Sequence, residues 1–182
     1  MPENQSLNEL IASCKKGDLR QQELLYKQFY GYALGICIRY LGNRDDALEA
    51  VNDSFIKVFK SINSFNEQHD FKPWFRKILV NTSLDYKRKS MRFSEAIELT
   101  DTLPQTTHTS AIDKLNAQDI LALMKQLNEM QRTVFNLYEI DGYAHKEIGS
   151  MLNIPESSSR TYLTRAKQAL QQLLITHSIH TK

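Results

Sequence analysis

Between Ser90 and Ala111 the chain loses its hydrophobic periodicity. The stretch SMRFSEAIELTDTLPQTTHTSA is rich in serine and threonine, carries Pro104 and holds only scattered apolar residues. It exceeds the roughly 12–15 residues beyond which a structureless connection inside one compact domain becomes uncommon. On either side, apolar residues return at three- and four-residue steps, the period of an amphipathic helix. Two separate helical cores are therefore expected: residues 1–90, a flexible linker over 91–111, and residues 112–182. With only 6 Gly and 4 Pro in 182 residues, a many-turned sandwich is disfavoured. The expected fold class is all-α, with two small helical domains, the second a four-helix domain containing a helix-turn-helix.

In the N-terminal block, helices are predicted near Leu7–Lys16, Arg20–Leu41, Asp45–Ile62 and Phe71–Lys89. Gly17 and the Gly42-Asn43 pair are the stops after the first two. Asp45–Ile62 is the cleanest of them. Ala47, Val51, Phe55, Val58, Phe59 and Ile62 form one apolar stripe, while Glu49, Asn52, Asp53, Ile56 and Lys60 share the other side. Asp45 and Asp46 suit the positive end of the helix dipole, but Asp53 lies too far along for that effect. Ile56 on the polar side is unexplained by folding, and hints at a protein partner.

The polar loop Asn63–His69 leads into FKPWFRKILVNTSLDYKRK, with Pro73 in the first turn. Phe71, Trp74, Phe75, Ile78, Leu79 and Thr82 are expected inside, with Lys77, Asn81, Asp85 and Arg88 outside. From Lys72 to Arg92 there are seven basic residues (Lys72, Arg76, Lys77, Lys87, Arg88, Lys89, Arg92) against one acid, Asp85. In a chain of net charge +2 this is a concentrated positive surface. It is either a solvated face or a phosphate-binding patch.

The C-terminal block is predicted to hold helices at Ile112–Met130 and Gln131–Glu139, then a helix-turn-helix from Asp141 to Leu174. Its first helix, about His145–Leu152, carries Ile148, Met151 and Leu152. Asn153-Ile154-Pro155 breaks it, and Ser157-Ser158-Ser159 supply capping hydroxyls for the next. That second helix buries Leu163, Ala166 and Leu170. Arg160, Thr161, Thr164, Arg165 and Gln168 remain on the other face, as in a major-groove recognition helix.

Enzymatic classes find little support. Asp45, Asp46, Glu49 and Asp53 have no histidine or cysteine beside them, and there is no glycine-rich phosphate loop. His177 and His180 have metal-like spacing, but lie in an expected frayed tail without further ligands. No catalytic residue, metal or cofactor is expected. Cys14 and Cys37 have no redox or zinc spacing, and reduced thiols suit the cytoplasm. The opening MPENQSLNEL has neither a basic start nor an apolar core, so no signal peptide is expected, and with no run long enough for a membrane span no membrane insertion is expected.

Taken together, these stretches resemble the extracytoplasmic function sigma factors, specificity subunits of bacterial RNA polymerase, from about Leu7 to Leu174. RYLGNRDDALEAVNDSFIKVF is similar to the family's core-binding helix, with Asn52-Asp53 followed by Phe55. The resemblance implies that Glu49, Asn52, Asp53 and Ile56 dock on core polymerase. FNEQHDFKPWFRKILVNTSLDYKRK looks like the segment that melts the promoter and reads its minus-ten element, with Trp74-Phe75 and Val80-Asn81-Thr82. By that likeness the loop from Asn66 through Glu67 and His69 to Asp70 forms a pocket for a flipped base. Arg76, Lys77, Asn81, Lys87 and Arg88 contact DNA nearby.

In the helix-turn-helix, Ser157-Ser158 stand at the family's cap, followed by Arg160 and by Leu163-Thr164-Arg165-Ala166. Tyr162 stands where relatives often carry arginine. The resemblance implies that Ser158, Arg160, Thr161, Thr164 and Arg165 read the minus-35 element of promoter DNA. Its implied partners are core RNA polymerase, promoter DNA and commonly an anti-sigma factor, often membrane-anchored. The alternative is a free-standing helix-turn-helix regulator with a helical sensor or dimerisation domain. The basic segment inside the N-terminal block favours the initiation factor, since a sensor domain has no use for it.

Overall fold

The computed structural model describes residues 6–94 and 123–180, and the chain divides into two compact units, residues 1–96 and 97–182. All regular structure among the described residues is helical. The expected linker over 91–111 and the start of the expected Ile112–Met130 helix, with Leu115 and Ile120, lie largely or wholly outside them. The side chains of Arg92, His177 and His180 lie outside the described ones.

The first unit contains α1 (Leu7–Lys15), α2 (Leu19–Leu41), α3 (Arg44–Ser61), a 3-10 turn (Ile62–Ser64) and α4 (Phe71–Ser94). Each start has a local chemical cause. Ser6 and Glu9 form a reciprocal capping box at α1. The Asp18 carboxylate accepts from the N–H groups of Arg20 (2.9 Å) and Gln21 (3.2 Å) at α2. The Asn43 side-chain oxygen accepts from the Asp46 N–H at α3, 2.8 Å away. Gly42 ends α2 at φ +80°, a left-handed conformation that costs glycine nothing.

An aromatic cluster joins α2, α3 and α4. Phe75 is fully buried, with ring centroids 4.9 Å from Phe55, 5.5 Å from Phe71 and 6.1 Å from Phe29. Edge-to-face and offset pairs of this kind add stability beyond area burial. The predicted stripe of α3 is realised by Ala47, Val51, Phe55 and Val58, whereas Phe59 is half-buried. Trp74 and Ile78 are likewise half-buried rather than interior. Burial pushes the thiols of both Cys14 and Cys37 up to about 11, so they remain protonated and unreactive at neutral pH.

In the second unit, α5 (Glu129–Phe135), a π-helical turn (Asn136–Ile140), α6 (His145–Leu152) and α7 (Glu156–His180) follow residues 123–125, which are helical. Here two expectations are corrected. The expected Ile112–Met130 helix is interrupted. The chain turns at Gln126–Leu127, and the Asn128 side chain accepts from the Met130 N–H (2.9 Å), starting α5 afresh. The expected Gln131–Glu139 helix begins at Glu129 and widens after Phe135, where the Asp141 N–H reaches back five residues to the Asn136 carbonyl, 2.9 Å away. Both α5 and α6 pack on α7. Leu127, Val134, Leu137, Ile148, Leu163 and Ala166 fill the core between them. Instead of fraying at His177, α7 stays helical to His180.

Candidate polymerase and nucleic-acid interfaces

The outer face of α3 carries three of the four residues expected to dock on a protein. Glu49 and Asn52 are exposed, and Ile56 is 50% exposed. Both polar residues expected beside Ile56 are held by neighbouring helices. The Tyr26 hydroxyl donates to Asn52 Oδ1 from α2 at 3.1 Å. The Tyr86 hydroxyl donates to Asp53 Oδ2 from α4 at 2.8 Å. Asp53 is half-buried, and this bond supplies the structural reason for a mid-helix carboxylate that the helix dipole could not. Burial, and then the Asp53 carboxylate it bonds, hold the Tyr86 phenol well above its ordinary range. Neither tyrosine was legible as a site residue, because each lies more than a helix away in sequence.

The loop before α4 is built from its own side chains. Phe65 is buried, edge-on to Phe71 and tilted against Trp74 at 5.0 Å. Asn66 Oδ1 accepts from the Gln68 N–H (3.0 Å) and the Asn66 carbonyl from the His69 N–H (3.0 Å). This Asx-type turn leaves Asn66, Glu67, His69 and Asp70 exposed. Further along, Lys77, Asn81 and Arg88 are exposed on α4 and Arg76 is half-buried.

Lys87 departs from its expected role. It is 5% exposed, because its place on α4 falls on the buried side with Val80, Ser83 and Leu84. At that exposure the side chain is not open to a DNA phosphate. Asp85, the one acid in the basic run, lies 3.2 Å from Arg88 and 3.4 Å from Lys57 of α3. The Lys57 ammonium also donates to Thr82 Oγ1 at 3.0 Å.

In the second unit the turn between α6 and α7 is tighter than its proline suggests. Asn153 adopts φ +55°, and its N–H and that of Ile154 both donate to the Gly149 carbonyl. Helix α7 begins at Glu156, so Ser157 and Ser158 sit inside its first turn rather than at the cap. Arg160, Thr161 and Thr164 are exposed, and Ser158 and Arg165 are half-buried. Arg160 pairs with Glu156 at 2.5 Å. The hydroxyls of Thr161 and Thr164 donate to the carbonyls of Ser157 (3.1 Å) and Arg160 (3.0 Å), which fixes their rotamers.

Family models match both units: sigma-70 region 2 over residues 25–93 and sigma-70 region 4 over residues 117–170. The chain belongs to the sigma-70 family, in its extracytoplasmic function group. It is a sigma factor for transcription initiation by RNA polymerase, and the family is non-enzymatic. It is 26% identical to the sigma factor SigW of Bacillus subtilis, over 92% of this chain and 96% of that one. With the sigma-E factor of Escherichia coli it shares 24% identity over 88% and 90% of the two chains. The co-crystal structure of the sigma factor RpoE with the anti-sigma factor NepR from Bartonella quintana is similar in fold. Its TM-score is 0.52 at 21% identity, covering 84% of this chain and 95% of that one. Among the described residues of this sigma factor, no helix is long and apolar enough to cross a membrane.

A histidine with no site signature in its sequence neighbourhood sits at the joint of the region 4 helices. His145 opens α6, is 9% exposed, stacks on Tyr138 at 4.4 Å, and places Nδ1 2.9 Å from Ser159 Oγ of α7. Burial lowers its pKa, and the charges of Arg160 and Lys167 lower it further against the opposing pull of Glu156. The unfolded chain therefore binds the proton more readily. The neutral imidazole's contribution to stability is complete above the ordinary histidine value near 6.5, and declines as pH falls below it. Thermal unfolding of the second unit should occur at a lower temperature at pH 5 than at pH 7. His145→Gln should shrink that difference, and an undiminished pH dependence in the variant would assign it elsewhere.

Proposed function

We propose that this sigma factor divides its work among three surfaces. Glu49, Asn52, Asp53 and Ile56 of α3 dock on core RNA polymerase. The loop Asn66–Asp70, with Arg76, Lys77, Asn81 and Arg88 of α4, reads and helps open the minus-ten element. Ser158, Arg160, Thr161, Thr164 and Arg165 of α7 read the minus-35 element in the major groove. Lys87 has no place in this scheme, since it is buried.

The observation that carries the reading is α3. An exposed isoleucine lies beside an amide and a carboxylate whose orientations are set by Tyr26 and Tyr86. A preset polar pair beside an apolar side chain suits a protein partner, because little side-chain entropy remains to be lost on docking. On α7, arginines and rotamer-fixed threonines share the side away from the core, as base readout requires. The linker is proposed to pass through the polymerase's active-site and RNA-exit region. We assign the protein to the cytoplasm, with an anti-sigma factor, membrane-anchored in the commonest family arrangement, as its regulator. The co-crystal of the Bartonella relative supports that partner class.

Transcription by bacterial core polymerase on genomic DNA fragments, with and without the protein, tests this reading. Discrete start sites that require the protein are expected. Absence of both new start sites and core binding would overturn it. On a promoter mapped in this way, Arg165→Ala should weaken preference at one position of the minus-35 element, by about 1–3 kcal/mol for a lost arginine–guanine fork. Equal losses across all minus-35 variants would make Arg165 a phosphate contact instead.

A further inference from the structure

Helix α1 has no part in the three surfaces above, yet one of its side chains crosses to the loop that precedes α4. The Lys15 ammonium donates to the Phe65 carbonyl at 2.9 Å and to Glu67 Oε1 at 2.7 Å. Lys15 is half-buried, and its side chain is 23% exposed against 43% for Glu67. The bond to the Phe65 carbonyl is part-buried and the one to Glu67 exposed, so the backbone bond carries more of the contact's strength than the screened ion pair does.

We propose that Lys15 is a positioning residue for the minus-ten loop, and that Glu67 anchors the loop to α1 rather than touching a base. This rests on the reading of Asn66–Asp70 as the base-reading loop, and it reassigns one of that loop's members.

The geometry supports the assignment from three sides. The buried Phe65 ring ties the residue just before the loop to the aromatic cluster. The Asx-type turn organises Asn66 to His69 from within. Lys15 joins these two fixtures, since its acceptors are the backbone of Phe65 and the side chain of Glu67. With the Glu67 carboxylate turned to α1, Asn66, Gln68, His69 and Asp70 are the exposed side chains left to meet an unstacked base. A flipped base is read by hydrogen bonds to its edge, which only a held frame can aim. Lys15 lies on a helix and its acceptors on a loop some fifty residues later. The helix is the rigid member, fixed by its capping box and by the burial of Leu10, Ile11 and Cys14.

The test uses the full chain with core polymerase on a promoter mapped as above, its minus-ten element randomised and the transcripts sequenced. Lys15→Met should flatten the minus-ten preference about three- to tenfold, the range for losing a partly screened, charge-assisted bond. Glu67→Gln should flatten it less, because the Phe65 carbonyl keeps its donor. Lys15→Arg, which retains donors for both acceptors, should restore most of the preference. Amide hydrogen exchange should accelerate at Glu67–His69 in Lys15→Met while α2 and α4 stay protected, a pattern that general destabilisation would not produce.

His69→Ala and Asp70→Ala separate the two claims. If either flattens the preference while Lys15→Met leaves it unchanged, the positioning role is overturned and the loop reading stands. If neither loop variant changes the preference, the loop reading falls and the positioning role falls with it. A Glu67→Gln variant that loses more than Lys15→Met would also overturn the proposal, since it would return Glu67 to direct base contact.

Discussion

Replacing Gly149 by alanine is expected to destabilise the region 4 unit by about 2 kcal/mol and to weaken minus-35 recognition with it. In the middle of a helix the same exchange normally stabilises, by roughly 1 kcal/mol. Here the added methyl would stand 2.8 Å from the Ile154 carbonyl oxygen and 3.6 Å from the Glu156 nitrogen. Both are backbone atoms, one in the turn and one at the first residue of α7, and cannot rotate aside as a side chain would. The Gly149 carbonyl also accepts the N–H groups of Asn153 and Ile154, so relieving the collision means loosening the bonds that set the turn. Since the turn sets the angle between α6 and α7, the shift would carry Arg160 and Arg165 with it. Thermal unfolding measures the stability change, with Ser150→Ala as the neighbouring control at an exposed position. An alanine variant as stable as the parent would mean that the turn yields at little cost.

Asp53→Ala is expected to lower affinity for core polymerase more than tenfold, the scale of an interface hot spot. It also removes the acceptor of the Tyr86 hydroxyl, so the region 2 unit should lose about 1 kcal/mol of stability while remaining folded. Those two effects separate with Tyr86→Phe, which deletes the Tyr86–Asp53 hydrogen bond and keeps the carboxylate. If Asp53 touches polymerase, Tyr86→Phe should retain most of the affinity that Asp53→Ala loses. Matching affinity losses would show that Asp53 acts through the link between helices. Co-purification with core and an unfolding curve for each variant provide both readouts.

Some expectations failed where one stretch of sequence permits more than one helical phase or more than one helix start. Lys87 illustrates the first. Its neighbours in sequence are basic, and a run of like charges reads as a solvated face, but helical phase decides which members of a run point inward. Asn81 and Arg88, seven residues apart, share the outer side as expected, whereas Lys87 falls on the side of Val80 and Leu84. The expected cap at Ser157-Ser158 failed for a similar reason. Several hydroxyls in a row can each cap a helix, and here the Ser159 N–H already bonds the Pro155 carbonyl, with α7 starting at Glu156.

What the sequence determined by itself was local. Apolar residues at helical spacing, Asp18 and Asn43 at helix starts, Gly42 at a helix end and the Asn153-Ile154-Pro155 break specify most of the helical segments and the main buried stripe of each. Those forces act within one or two turns, so the neighbours in the chain contain the whole cause. The aromatic pair, the basic run and the helix-turn-helix spacing were legible for the same reason, and with them the family. Only the tertiary structure decided which polar side chains are bound to one another. Lys15 and Glu67, Tyr26 and Asn52, Tyr86 and Asp53 are 52, 26 and 33 residues apart. Each pair exists because the aromatic cluster brings two helices, or a helix and a loop, to one distance and one phase. No residue's own type or neighbours carry that information, since hydrogen bonds of this kind are consequences of packing rather than causes of it.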